Sequence, residues 1–92
     1  MTVLISEQAE EDLEESLSHI YERNPAAALK LARKVFAALS LLSAADVDGP
    51  SVQLTTGEIV RRWLVSPFRI YYVRDGDELR VVRIYHHARR PL

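Results

Sequence analysis

The sequence predicts an α+β fold: two N-terminal helices packed on one face of a small antiparallel sheet, in the order β-α-α-β-β-β. Three observations predict it. Apolar residues recur at helical spacing from Ala9 to Leu42. From Val52 onward the pattern changes to period two. Between these segments stand the chain-turning pairs Asn24-Pro25, Thr56-Gly57, Ser66-Pro67 and Asp75-Gly76.

Thr2 to Ile5 reads as a short strand rich in β-branched residues. Ser6 then fits a helix N-cap, with Glu7, Glu10 and Glu11 in the first turn against the positive end of the helix dipole. Ala9, Leu13, Leu17, Ile20 and Tyr21 fall on one stripe, and the acids are expected on the opposite face. Asn24-Pro25 restarts the helix, because asparagine caps and proline suits the first helical position. Leu31, Val35, Leu39 and Leu42 continue at helical spacing beside small alanines, which permit close approach to a sheet. The result is an antiparallel helix pair ending near Ser43, before the loop formers Asp46, Asp48, Gly49 and Pro50. Val52–Thr55, Ile59–Val65, Phe68–Arg74 and Leu79–Tyr85 read as strands of a meander whose second face stays partly open.

At 92 residues the chain forms a single domain spanning residues 1–92, and its 48% apolar content supplies one modest core. The absence of cysteine removes disulfides, thiolate metal sites and cysteine nucleophiles, and fits a reducing cytoplasm. No apolar run approaches the roughly 18 residues of a membrane span. The N-terminal Met1-Thr2-Val3-Leu4-Ile5 lacks the pattern of a signal peptide. The formal net charge of −1 hides an asymmetry. Residues 1–46 hold eight acids against four bases, whereas residues 47–92 hold five acids against eight bases, all arginine. A polarised surface follows, and arginine suits bidentate recognition of carboxylate or phosphate.

Most catalytic motifs are missing. Three scattered glycines make no phosphate-cradling loop, and neither a metal-binding histidine spacing nor a nucleophile elbow occurs. No metal or cofactor is expected. His86-His87 on a strand would point to opposite faces. What remains is a C-terminal constellation: Arg61, Arg62, Arg69, Arg83, Tyr85, His86, His87, Arg89 and Arg90. Arginines neutralise phosphates and histidine exchanges protons near neutral pH, a combination suited to RNA cleavage by attack of a 2′-hydroxyl. Solvated strand arginines and histidines bonded to backbone carbonyls are the alternative. Hairpin register decides which histidine joins Arg69. A two-residue Asp75-Gly76 turn puts Arg69 with Arg80, Val82, Ile84 and His86; a three-residue turn through Asp77 puts it with Arg83, Tyr85 and His87. Trp63, Phe68, Tyr71 and Tyr72 are expected in or beside the core rather than as base-stacking platforms.

The segments Ala9-Glu10-Glu11-Asp12-Leu13 and Asn24-Pro25-Ala26-Ala27-Ala28 resemble the helical signature of ParE-type toxins. The run from Val60 to Tyr72 resembles the sheet signature of the RelE/ParE superfamily, and Gly76 to Arg90 its closing strand and tail. The resemblance implies the toxin of a type II toxin–antitoxin module, associated with growth inhibition and plasmid stabilisation. A ParE-like action on DNA gyrase is preferred. The alternatives are a RelE-like, metal-independent messenger RNA endonuclease acting at the ribosome, or a non-toxic binding module of the same fold. On the nuclease reading the resemblance implies Arg69, with His87 and Arg89, as catalytic residues; a catalytic glutamate would have to be Glu58. Arg61, Arg62, Arg83, His86 and Arg90 are then candidates for contacting the nucleic acid or protein target. It also implies a cognate antitoxin as partner, often acidic, assembling with the toxin into hetero-oligomers in the cytoplasm.

Overall fold

Ser6 connects the two layers of this protein, and the architecture follows from its position. In the computed structural model, which describes residues 1–44 and 46–87, β1 (Thr2–Ile5) is followed by α1 (Glu7–Arg23) and α2 (Pro25–Ser43). Four further strands complete the chain: β2 (Ser51–Gln53), β3 (Ile59–Val65), β4 (Phe68–Asp75) and β5 (Glu78–His86). The Ser6 hydroxyl accepts from the Ala9 N–H at 3.0 Å, as an N-cap does, and donates to the Val82 carbonyl of β5 at 2.8 Å. Asn24 caps α2 in the same way through the Ala27 N–H, with Pro25 at the start. The helix boundaries therefore lie where the sequence places them.

The strands form one sheet in the order β1-β5-β4-β3-β2. The α+β class and the helices on one sheet face match the expectation. One pairing departs from it: β1 lies parallel to β5, with Thr2 opposite Glu78 and Ile5 opposite Val81, so the sheet is mixed. Periodicity reveals that Thr2–Ile5 is a strand but carries no information on its neighbour, which lies more than seventy residues away. The short β2 counts as a strand of its own beside β3.

The β4–β5 hairpin also differs from both readings of its turn. Asp75 pairs with Glu78, so Gly76 and Asp77 form the loop, with Gly76 at φ 59°. Between Tyr71 and Tyr72 the register shifts, because Tyr71 faces Arg83 while Tyr72 faces Val81. Val82 is thus the extra residue of a β-bulge. Without the bulge Arg69 would face Ile84; with it, Arg69 faces Tyr85.

The core lies between the helices and one sheet face. Ala9, Leu13, Val35, Leu39 and Leu42 meet Phe68, Ile70, Tyr72, Leu79, Val81 and Ile84. Full burial of a large apolar side chain contributes roughly 1.5–3 kcal/mol, so this layer is the main source of stability. Phe68, Tyr71 and Tyr72 are buried and Trp63 half-buried, as expected of core residues. A smaller cluster of Val60, Tyr71 and Tyr85 occupies the opposite sheet face, which carries no helix among the described residues. Among the described residues no helix is long and apolar enough to cross a membrane.

Two polar devices close the layers. Asp12 of α1 is buried, against the expectation that all the acids of this helix lie on its outer face. Its carboxylate accepts from the Arg83 Nε and Nη2, each at 2.8 Å, and from the Ile84 backbone N–H at 3.1 Å. β1 covers β5 only as far as Val81. The Asp12 carboxylate therefore takes the place of a strand along the remaining edge of β5. The bond to Asp12 holds the Arg83 guanidinium still more firmly protonated, outweighing the cost of burial.

The second device pins the loop after α2 to the sheet. Tyr72 Oη donates to Asp48 at 2.9 Å and accepts from the Gly49 N–H at 2.8 Å. Arg74 donates to Asp48, to the Leu42 carbonyl near the end of α2 and to the Val47 carbonyl, each at 2.9 Å. The bond from Arg74 outweighs burial and holds the Asp48 carboxyl below its ordinary 3.8, whereas burial pushes the Tyr72 phenol above its ordinary 10.0. A carboxylate with a depressed folded pKa stabilises the fold fully above its unfolded pKa, and that contribution disappears as pH falls through the folded value. We therefore expect urea denaturation to show wild type above Asp48→Asn at pH 7, with the gap shrinking below about pH 4. A gap independent of pH would remove Asp48 ionisation from the account.

Candidate functional site

The turn joining β3 to β4 gathers the residues whose chemistry stands out in the sequence. Ser66 and Pro67 form this turn with a cis peptide bond between them, and Val65 pairs with Phe68 across it. Beyond the end of β5, His87 folds over the turn: its backbone N–H donates to the Pro67 carbonyl at 2.8 Å. The His87 Nδ1 lies 3.2 Å from the same oxygen. A carbonyl only accepts, so in the neutral imidazole this contact places the ring proton on Nδ1 and leaves Nε2 as the acceptor. The Arg69 Nη2 donates to the His87 carbonyl at 3.4 Å. Leu64, Ser66, Pro67, Phe68, Arg69 and His87 line a cleft of about 350 Å³.

Arg69 and His87 therefore come together. The bulge at Val82 produces this, since it places Arg69 on the same face as Arg83 and Tyr85. The two histidines do not point to opposite faces: their rings stack at 4.8 Å, with 24° between planes. The strand ends at His86, so the alternation that would separate them stops there. His86 packs edge-on against Phe68 at 5.7 Å, turned toward the helix layer. Among the described residues no group of histidine, aspartate and glutamate side chains could hold a metal ion.

The other candidates disperse. Arg83 is committed to Asp12, and its guanidinium also lies over the Tyr85 ring at 4.7 Å. Arg61 donates to the Gly49 carbonyl at 2.8 Å and belongs to the loop clip. Arg62 pairs with Tyr71 across β3 and β4, so it stands on the helix-free sheet face with Arg69. Its buried Nε has no partner among the described residues. Glu58 precedes β3 at the far end of the sheet, six residues from the Leu64 that faces Arg69, or roughly 20 Å along a strand. It lines a separate hollow with Arg80 and Val73, so it cannot serve the Arg69–His87 cleft. Arg89 and Arg90 lie outside the described residues.

Two contributors to this region escape a reading of the sequence. Lys34 reaches from α2 to the Ser66 carbonyl at 3.0 Å, adding a cation at the turn. Asp12 immobilises Arg83, removing it from the exposed set. A signal for Asp12 existed: it shares the helical spacing of the buried Ala9, Leu13 and Ser16. Nothing local marked Lys34.

Chemically, among the described residues the cleft offers one imidazole and one guanidinium, and no carboxylate lines it. In-line cleavage of RNA needs a base, an acid for the leaving oxygen and positive charge on the phosphorane. The described cleft supplies the first and the last.

Comparison with known proteins adds three findings. The model of the family described as ParE toxin of type II toxin–antitoxin system, parDE, matches residues 3–91. Toxin RelE1 of Caulobacter vibrioides is 38% identical over 85 residues, covering 92% of this chain and 91% of that protein. A solved chain of the chromosomal ParDE TA system from P. aeruginosa superposes with a TM-score of 0.76 over 94% of this chain and 95% of that one. At 22% identity that likeness shows the fold alone.

Proposed function

The chain belongs to the ParE toxin family of type II toxin–antitoxin systems, and from that premise we propose that it arrests growth by binding a protein target, DNA gyrase, rather than by cutting RNA. One observation carries the preference: the sheet arginines are largely committed within the fold. Arg83 is held by Asp12, Arg61 by the Gly49 carbonyl and Arg74 by Asp48 and two carbonyls. Guanidinium donors engaged in this way are less available to phosphate oxygens. The buried Tyr71 and Phe68 likewise offer no face for stacking bases.

The cognate antitoxin is the partner that the family implies, and the helix-free sheet face suits it. Arg62 and Arg69 stand there with Leu64, which is 63% exposed, so an acidic segment with an apolar anchor would fit. Action in the cytoplasm belongs to the same proposal. A second reading, a messenger RNA endonuclease, is favoured by the meeting of Arg69 with His87.

Expression of the chain without antitoxin separates the readings, with thymidine and amino-acid incorporation followed from the moment of induction. We expect growth arrest with early loss of DNA synthesis, and only modest loss of toxicity in Arg69→Ala or His87→Ala. Early loss of protein synthesis, abolished by either substitution, would overturn the gyrase reading in favour of the nuclease. Continued growth with folded protein present would leave a binding module without toxicity.

A further inference from the structure

We propose that the groove between α1 and α2 is the interface of a two-fold dimer of this chain, in which two helix hairpins stack into an antiparallel four-helix bundle. The groove runs along the outer side of the hairpin and measures about 860 Å³. Its floor is apolar. Tyr21 is 61% exposed, Leu29 55% and Phe36 54%, with Leu13 and Leu17 beneath. Large apolar side chains gathered on one exposed face mark a binding surface rather than scattered surface residues.

The charge on the two walls selects the occupant. α1 carries seven acids against one base, and Glu10, Glu14 and Glu22 line its side of the groove. α2 carries no acid at all; with Lys34 turned to the Ser66 carbonyl, its remaining bases are Lys30 and Arg33. Arg33 is four residues after Leu29 and three before Phe36, so it shares their face, and Lys30 lies beside it. The groove is lined by acids on the α1 side and by apolar residues on the α2 side, with the bases of α2 beside the lining rather than in it. A two-fold axis parallel to the helices, lying in the plane of contact, sets each α1 against the α2 of the other copy. Acid then meets base on both sides, and every neighbouring helix pair runs antiparallel. A two-fold axis perpendicular to the helices would press α1 onto α1, glutamate against glutamate. Counting outward from the Asn24 turn, Glu14 lies ten residues before it and Arg33 nine residues after, so these two residues meet across the interface.

The size of the hairpin fixes the expected strength. Helices of 17 and 19 residues rise about 1.5 Å per residue and are about 10 Å wide. Their joint footprint is on the order of 500 Å² per copy, or about 1,000 Å² in total, at the lower end of specific interfaces. The dimer should therefore be weak, with a micromolar Kd. This inference concerns the helix layer and is independent of the target acted on by the sheet side.

Sedimentation equilibrium of the full chain, free of antitoxin, tests it over a range from micromolar to several hundred micromolar. We expect a monomer–dimer equilibrium that Leu29→Ser with Phe36→Ser weakens by about tenfold or more, a loss of at least about 1.4 kcal/mol. Circular dichroism and urea unfolding confirm that the variant folds, as both positions face solvent. Glu14→Arg and Arg33→Glu should each weaken the dimer, and the double exchange should restore it, since each contact occurs twice. A protein monomeric throughout the range overturns the proposal and leaves the groove to a helix of another protein. A dimer indifferent to Leu29 and Phe36, or one tightened by Glu14→Arg, overturns it equally.

Discussion

Asp12→Ala is expected to cost about 3–5 kcal/mol of folding stability, the loss typical of removing one member of a buried ion pair. Domains of this size hold only about 5–15 kcal/mol in total, so the variant should be close to unfolding at ambient temperature. Three bonds vanish together: two to the Arg83 guanidinium and one to the Ile84 N–H. The guanidinium is left largely buried, with the Tyr85 ring as its remaining neighbour. Its pKa lies too high for deprotonation to relieve the cost. The Ile84 amide faces a helix rather than water, so it loses its only acceptor in that direction. Asp12→Asn keeps an oxygen for Ile84 and should lose about half as much. Urea titrations of the three proteins provide the measurement. A loss below about 1 kcal/mol for the alanine variant would mean that the pair behaves as a surface salt bridge.

Gly49→Ala should rank second, at about 3 kcal/mol or more, for a reason unrelated to chain flexibility. A methyl group on Gly49 would overlap the Arg62 carbonyl oxygen of β3. Both groups are backbone, so no side-chain rotation relieves the contact, and the loop has to move away from the sheet. That movement would break the bond from the Gly49 N–H to the Tyr72 hydroxyl and the Arg61 bond to the Gly49 carbonyl. Tyr72→Phe supplies the control. It removes the hydroxyl while leaving the close approach intact, and should cost only about 1–3 kcal/mol. Comparable losses in the two variants would show that the hydrogen bonds, rather than the steric fit, dictate glycine at this position.

The elements of this protein were legible because their signals are local. Ser6, Asn24 and Pro25 mark helix starts within a few residues, and alternation from Ile59 to Tyr85 marks strands within a few more. What was not legible depends on residues distant in the chain. β1 pairs with β5 and touches α2, and the carbonyl of the bulged Val82 accepts from the Ser6 hydroxyl, all contacts between residues far apart in the chain. That single extra residue decides which face Arg69 shares with the end of β5, so the candidate site was legible as a set of residues but not as an arrangement. The division of the arginines into committed and available ones was equally hidden. Asp12 and Arg83 are 71 residues apart, and no spacing rule pairs them. Arg69 and His87, by contrast, were singled out together and do meet.

The parallel contact between β1 and β5 has a consequence for how this protein is made. Ser6 and Val82, joined beside that contact, are 76 residues apart. During synthesis α1 and α2 emerge early and can pair as a hairpin, but β1 has no strand to lie against until β5 has left the ribosome. Closing so long a loop is also the slow, entropically costly step of folding. The sheet, and with it the Arg69–His87 cleft, is therefore assembled only when almost the whole described chain is out. Until that moment a nascent copy holds the helix hairpin without the strand that joins β1 to the rest of the sheet.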